Sequence, residues 1–347
     1  MDNLKYHLHK IAERNNLTRQ ESRDAFNLLM SGEATPAQIG AFLMGLRVKG
    51  EALEEAIGAV EVMRSKMTPV KAPSDAMDIV GTGGDGLGTY NISTCTAFVT
   101  AAAGIPIAKH GNKALSSRSG AADVLTELGL SLDLSPEGIA TCIQEAGIGF
   151  MFAPNHHKAM RFVAPARVEL GTRTLFNMLG PLSNPANVKK ALIGVYSREL
   201  VRPVAQILQA LGNTDVIVMH GADGLDEITT TGESYYAQLQ NGVISEDIFT
   251  PEQVGIQRVN IEALKGGTPQ DNAVALKKVL QNEASPYLDI VLMNAGAALI
   301  VAGKASDLKE GVTTARDLIA SGKAYQKLEE LITLSAQLFE QEQELKA

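Results

Sequence analysis

The run Asp78-Ile79-Val80 passes straight into Gly81-Thr82-Gly83-Gly84-Asp85-Gly86. Gly81, Gly83 and Gly86 meet the G-x-G-x-x-G spacing behind a strand, a weak signal until its context is read. A dinucleotide site wants an acidic residue at the end of the second strand to hold a ribose diol. Here the second apolar run ends in Lys109-His110, and a lysine there suits phosphate instead. The loop continues into Thr89-Tyr90-Asn91-Ile92-Ser93-Thr94, polar where a dinucleotide-binding helix is already apolar. Glycine-rich stretches also serve as plain structural turns, because Gly tolerates left-handed backbone. The neighbouring Asn, Ser, Thr and Lys favour a phosphate cradle, with backbone N–H groups converging on an anion and a helix starting near Ser93 adding its N-terminal dipole.

Such a loop needs strands to carry it and helices to back them. Short apolar runs at Met77–Val80, Pro106–Lys109, Gly149–Phe152, Ala191–Tyr196 and Asp215–Met219 alternate with helical stretches such as Ser93–Ala103, Pro136–Ala146 and Leu200–Leu211. That alternation predicts a largely parallel, helix-covered sheet. Glu227–Ile244 reads as a hairpin turning at Asn241-Gly242. From Pro269 onward the chain is helical again and ends in an acidic amphipathic helix. The first part differs. Thr18 with Glu21 forms a capping box, Thr35-Pro36 starts a second helix, and Leu53, Ala56, Ile57, Val60 and Met63 follow at helical spacing. Residues 1–68 are therefore expected to form a helical domain, with Thr68–Ser74 as linker and 75–347 as an α/β domain.

The 347 residues carry a net charge of −8, which argues against a general nucleic-acid binder. Cys95 and Cys142 are too few for a disulfide framework and are expected to be buried thiols. The stretch Ile290–Gly303 is short for a bilayer span and contains Asn294, and the N-terminus lacks an apolar signal core. A soluble, cytoplasmic protein with no membrane partner is the expectation.

Gly81–Asp85, Asn91–Thr94 and Lys109–Asn112 stand in the order and spacing of anthranilate phosphoribosyltransferase, which the chain resembles over nearly its whole length. Ser116-Ser117, Ser119–Asp123, Phe152–Pro154, His156-His157, Met160-Arg161, Pro165, Arg167, Gly171–Thr174, Phe176–Pro185 and Gly224–Glu227 also fit. The resemblance implies transfer of the phosphoribosyl group of phosphoribosyl pyrophosphate (PRPP) to the amino group of anthranilate, releasing pyrophosphate, in tryptophan biosynthesis. It implies an α/β fold of the nucleoside phosphorylase type: a small N-terminal helical domain plus a large α/β domain with a mostly parallel central sheet. It also implies a homodimer joined through the helical domains, with helices near 160–185 packing back on them.

On that resemblance, PRPP is held by Gly81, Gly84, Asp85, Thr89, Asn91, Ile92, Ser93, Thr94, Lys109, His110, Gly111, Asn112, Lys113, Ala114, Leu115, Ser116, Ser117 and Ala121. Lys109 neutralises phosphate as a point cation and, with the metal, stabilises the leaving group. Gly81, Asn112, Arg167, His110 and His157 contact anthranilate, Arg167 by a bidentate pair with its carboxylate. Read from the residues alone, Arg167 is an ordinary solvated arginine on a helix. Ser93, Asp226 and Glu227 are the Mg2+ candidates, since that ion takes a few protein oxygens and completes its shell with phosphates and waters. An adjacent Asp-Glu is most often a solvated turn. Here His220–Leu225 after an apolar strand sets the pair at the carboxyl edge of the sheet, where α/β ligands bind. His156-His157 lacks zinc-ligand neighbours.

Two departures stand out: Lys158 after the histidine pair, where many relatives have proline, and Ala121, where the family usually has serine. The competing readings are a pyrimidine nucleoside phosphorylase, which lacks Lys-His-Gly-Asn and the acidic pair, and a nucleic-acid-binding relative of the same fold, which needs basic exposed helices.

Overall fold

The computed structural model describes residues 4–114 and 118–345. Four helices open the chain: α1 (Leu4–Ala12), α2 (Arg19–Ser31), α3 (Pro36–Lys49) and α4 (Leu53–Lys66). Their starts are set locally. The Thr18 hydroxyl accepts from the Glu21 N–H while the Glu21 carboxylate accepts from the Thr18 N–H, and Thr35 with Gln38 repeats the arrangement ahead of Pro36. Helix α2 stops at Gly32 in left-handed backbone.

Strands β1 (Met77–Gly81), β2 (Ile107–Gly111), β3 (Ile148–Phe152), β4 (Lys190–Gly194) and β5 (Asp215–Gly221) pair in parallel, and β6 (Ser234–Gln240) and β7 (Val243–Phe249) add antiparallel. The order is β3-β2-β1-β4-β5-β6-β7. The hairpin differs from its sequence expectation at both ends. Strand β6 begins at Ser234, because residues 227–233 form an irregular turn, and β7 runs on to Phe249. Its tip is Asn241 (φ 52°) and Gly242 (φ 75°), the mirror-image turn that matches strand twist.

The remaining helices are α5 (Ile92–Ala102), α6 (Ala121–Glu127), α7 (Pro136–Glu145), α8 (Ala153–His156), α9 (Ala164–Leu170), α10 (Phe176–Leu179), α11 (Val201–Ala210), α12 (Pro269–Leu280), α13 (Pro286–Val301), α14 (Leu308–Ala320) and α15 (Lys323–Glu344). Strand alternation sorts them onto two faces. Met77, Ile79, Leu192, Ile217 and Met219 pack with α5, α7 and α12–α15. Val80, Ala191, Ile193, Val216 and Val218 pack with α9, α10, α11 and the N-terminal helices. The helical bundle thus shares its core with one face of the sheet. Phe26 of α2 meets Phe42 of α3 at 5.5 Å and Phe176 of α10 at 5.6 Å, both edge-on. The linker is tied down as well: Thr68 N–H donates to His156 O at 2.8 Å and Val70 N–H to Pro185 O at 3.1 Å. Cys95 and Cys142 are free and buried. Among the described residues no helix is long and apolar enough to cross a membrane.

Candidate active site

Strands β1 and β4 lie side by side while the chain leads away from them in opposite directions, to β2 and β3 on one flank and to β5 on the other. In an open parallel sheet that switch point is where ligands bind, beyond the carboxyl ends of the strands. Both strands end in glycine, and Gly81 and Gly194 are register partners. The reason is Asp226. A Cβ on Gly194 would collide with the Asp226 carbonyl, and one on Gly81 with its carboxylate. Two missing side chains let the turn after β5 cross directly over the switch point.

Asp226 and Glu227 are both buried. Asp226 Oδ2 accepts from Gly83 N–H at 2.6 Å, and Glu227 Oε1 from Ser93 N–H at 3.1 Å. Burial, then the nearby Asp85 charge, pushes Asp226 up to about 7. Burial and Asp226 hold Glu227 well above the usual carboxylate range. Asp85 caps its own loop by accepting from Leu87 N–H at 3.1 Å. Burial and mutual repulsion thus favour protons on this pair, and a cation that displaced them would let both carboxylates ionise. Among the described residues no three His, Cys, Asp or Glu side chains form a metal-binding group. The donor set therefore fits a hard ion that takes few protein oxygens, as Mg2+ does, and not a closed cage.

Lys109 lies beneath this pair. Its buried ammonium donates to Ile79 O at 2.5 Å and sits 3.4 Å from Ser93 Oγ. Burial lowers its pKa, while Asp78 and Glu227 oppose that shift. Asp78, a buried carboxylate inside an apolar strand, accepts from His110 N–H at 3.1 Å and from Asn184 Nδ2 at 2.7 Å; Asn184 also donates to Ala108 O at 2.9 Å. Asp78 and Asn184 thus fix the strand segment that presents Lys109 and His110. Sequence reasoning assigned neither of them a role. The available signal was a charged residue in the middle of Met77–Val80.

The loop residues are held by a second network. Asn91 Oδ1 accepts from Asn272 Nδ2 at 2.9 Å and Ser119 Oγ at 3.3 Å, and Asn91 O accepts from Tyr287 Oη at 3.0 Å. Thr89 forms an isolated antiparallel bridge with Lys265. Ile92 and Thr94 are buried in the first turn of α5, and among the described residues the Thr94 hydroxyl has no partner. Gly83 and Gly84 take φ of 66° and 73° at the tip of the glycine turn, where Gly84 O accepts from the Arg173 guanidinium. Across the cleft, Asp123 Oδ2 accepts from Ala114 N–H and Gly120 N–H, both at 2.9 Å, closing the loop after β2. Gly111 and Ala121 pack side by side there, and Asn112 Oδ1 accepts from Lys113 N–H at 2.8 Å. Leu115, Ser116 and Ser117 lie outside the described residues.

His110 and His157 face each other with ring centroids 5.1 Å apart, both buried. Burial and the neighbouring histidines push His110 well below its ordinary value, and burial brings His157 down to about 4, so both rings are neutral at pH 7. Among the described residues His110 Nε2 and the two His157 ring nitrogens make no well-formed hydrogen bond, although the backbone of Gly180 lies near His110 and that of Ser183 near His157. His156 is different, its Nδ1 bonded to Thr68 O at 2.9 Å. Arg167 on α9 stacks 5.2 Å from the Phe176 ring, and burial lowers its pKa. Among the described residues no carboxylate pairs with it. Helix α10 connects it to the histidines: Phe176 starts that helix, and Gly180, just beyond its end, lies against His110.

Comparison with known proteins agrees with this arrangement. Residues 5–67 match the family described as "Glycosyl transferase family, helical bundle domain", and residues 73–325 match "Glycosyl transferase family, a/b domain". An anthranilate phosphoribosyltransferase of Rhodopseudomonas palustris is 58% identical over 94% of this chain and 97% of its own. The crystal structure of the Thermus thermophilus enzyme superposes with a TM-score of 0.91 at 42% identity, covering 97% of this chain and 100% of that one. The Saccharomyces cerevisiae enzyme in complex with PRPP and Mg gives 0.88 at 29% identity, covering 96% and 98%. With a helical bundle and an α/β unit both matched and near-complete coverage at this identity, the chain belongs to the anthranilate phosphoribosyltransferase family.

Proposed function

We propose that the carboxyl edge of the sheet is where this enzyme passes the phosphoribosyl group of PRPP to the amino group of anthranilate, releasing pyrophosphate, in tryptophan biosynthesis. The observation that carries the assignment is the buried acidic pair laid over the two strand-end glycines at the switch point. PRPP is multiply anionic, so its pyrophosphate cannot approach Asp226 and Glu227 without a cation between them. Ser93, Asp226 and Glu227 would hold Mg2+, which when bound supplies charge neutralisation to the leaving pyrophosphate. Backbone N–H groups of the glycine turn and of the first turn of α5, other than those of Gly83 and Ser93 already bonded to the carboxylates, would face the same anion, and Lys109 adds a positive charge below.

Breaking the C1–O bond builds positive charge on the ribose while the electron pair leaves with pyrophosphate. The aryl amine brings its own lone pair to C1 and afterwards releases one proton. The site needs positioning and charge compensation more than a strong base. Neutral His110 and His157 offer anthranilate an aromatic-lined wall, and Arg167, with no carboxylate partner among the described residues, is available to the anthranilate carboxylate.

Residues 1–68 act as one unit and 75–347 as the other. The enzyme is a homodimer: Tyr6, Val48 and Val168 are exposed at 58%, 67% and 80% on α1, α3 and α9, which pack in sequence against one another, and a second copy would cover them. It works in the cytoplasm on small molecules, without nucleic acid. The test of the activity is optical. Anthranilate fluorescence should fall only when PRPP and Mg2+ are both added, and loss of fluorescence without PRPP, or none with both, refutes it. Sedimentation at micromolar concentration should give the dimer.

A further inference from the structure

A second cleft lies at the opposite, amino-terminal edge of the sheet. It has a volume of about 700 Å³. Its walls are α2 and α4 of the helical bundle, the linker entering β1, and residues 185–189 entering β4. Four cationic side chains line it: Arg19, Arg23, Arg64 and Lys189. The carboxylate among the lining residues is Glu61. It pairs with Arg19 at 2.5 Å and lies 3.8 Å from Arg23.

Among the described residues neither Arg64 nor Lys189 has a carboxylate within ion-pair distance, although Arg64 feels the Glu61 charge from farther away. Arg64 Nε donates to Leu182 O at 2.8 Å and Nη1 to Asn187 Oδ1 at 3.0 Å, both neutral acceptors that fix the guanidinium in place. Among the described residues the Lys189 ammonium has no hydrogen-bond or ion-pair partner. Burial brings Arg64 down to about 10 against the opposing pull of Glu61, and burial together with the Arg64 charge lowers Lys189. The cleft is large enough for a metabolite, since small-molecule sites span about 300–1,000 Å³. The cations come from three segments around it, Arg19 and Arg23 from α2, Arg64 from α4 and Lys189 from the chain entering β4, which suits a ligand with more than one anionic group.

We propose that this cleft binds a small polyanion, a molecule carrying two or more phosphate or carboxylate groups, held between Arg23, Arg64 and Lys189. The cleft stands at the far end of β1 and β4 from Asp226 and Glu227, so this assignment does not rest on the catalytic reading.

The test is calorimetric titration of the full-length protein, without Mg2+, using inorganic pyrophosphate and citrate as separate probes. The variants Lys189→Gln and Arg23→Glu change solvent-reachable side chains and should leave fold and turnover intact. Each should weaken one binding event at least about 10-fold, as loss of a charge-assisted contact does. Loss for pyrophosphate alone identifies a phosphate-type ligand, and loss for citrate alone a polycarboxylate. The proposal is overturned if both variants bind both probes as the wild type does. It is equally overturned if turnover falls in parallel with binding, because the anion was then in the catalytic cleft.

Discussion

Glu55 and Glu227 are both glutamates shut away from water, one in the helical bundle and one at the carboxyl edge of the sheet. Glu55 is saturated with donors: Leu17 N–H at 2.8 Å, Ala52 N–H at 2.7 Å and Lys49 Nζ at 3.0 Å. Among the described residues Glu227 accepts one backbone N–H and sits beside a second carboxylate. The first arrangement closes on itself and staples the turn before α2 to the start of α4. The second is buried yet short of donors, with its neighbouring carboxylate adding repulsion where the first has an ammonium. A buried charge completed by the protein serves the fold; one left incomplete marks where a ligand completes it.

The largest expected effect lies on the saturated side. Glu55→Ala leaves the Lys49 ammonium, whose side chain is 4% exposed, with only the neutral acceptors Asn16 Oδ1 and Gly50 O, and strands two backbone donors. Breaking a buried pair in this way costs about 3–5 kcal/mol. Urea unfolding should show that loss. A change below about 1 kcal/mol, the scale of an exposed pair, would break the comparison.

The donor-poor side should behave in reverse. Asp226→Asn together with Glu227→Gln removes charges that burial already disfavours, so unfolding free energy should hold or rise. Turnover should fall at least about 100-fold, roughly 2.7 kcal/mol of transition-state stabilisation. Near-normal turnover at low Mg2+ in the double variant would remove the metal assignment.

The same contrast separates what was legible in the sequence from what was not. Parallel strands, caps and the Asn241-Gly242 turn were readable because each is set by side chains within a few residues. The glycine turn, Lys109 and the acidic pair were visible as residue types. Their geometry was not. That Gly81 and Gly194 both lack a side chain to admit Asp226 depends on two strands 113 residues apart becoming register neighbours. Asp78 and Asn184 escaped assignment because their function is to hold the backbone of a third segment. The hairpin start was misplaced because Thr229, Thr230 and Thr231 look strand-like, whereas the Thr229 and Thr231 hydroxyls bond Asp223 at 2.6 and 2.7 Å and hold a turn.

Arg167 extends the comparison to a cation. Its half-buried guanidinium has Phe176 beneath it and, among the described residues, no carboxylate partner, and the proposed function gives it the anthranilate carboxylate. Arg167→Ala should raise the Michaelis constant for anthranilate about 30- to 150-fold, the equivalent of roughly 2–3 kcal/mol for a lost bidentate pair. Lysine at this position should recover part of that loss, since a point charge lacks the fork. Calorimetry with each substrate separates the outcomes, and a selective loss of PRPP affinity would reassign the residue.

The smallest effect tests the sign of the comparison. Glu21 lies on the surface of the bundle, where the hydrogen bond from Lys10, at 2.7 Å, and that from Thr18 bring its carboxyl down to about 2. A depressed carboxyl contributes stability that is present above its unfolded value of 4.5 and is lost as pH falls through about 2. Asp78 has the opposite sign. Burial raises it from 3.8 to about 6, so its contribution is present below 3.8 and is lost as pH rises through about 6. Glu21→Gln isolates the surface charge, because Gln38 shows that glutamine can fill the same position of a capping box. The variant should therefore lose about 0.5 kcal/mol at pH 7, the value of a solvated ion pair. The gap to wild type should narrow as unfolding is measured at pH 5, 4 and 3. It should also shrink in high salt, whereas the Glu55 effect should not. A gap that widens toward acid would mean that the Glu21 charge is tolerated and not used, which is the behaviour expected of Asp78.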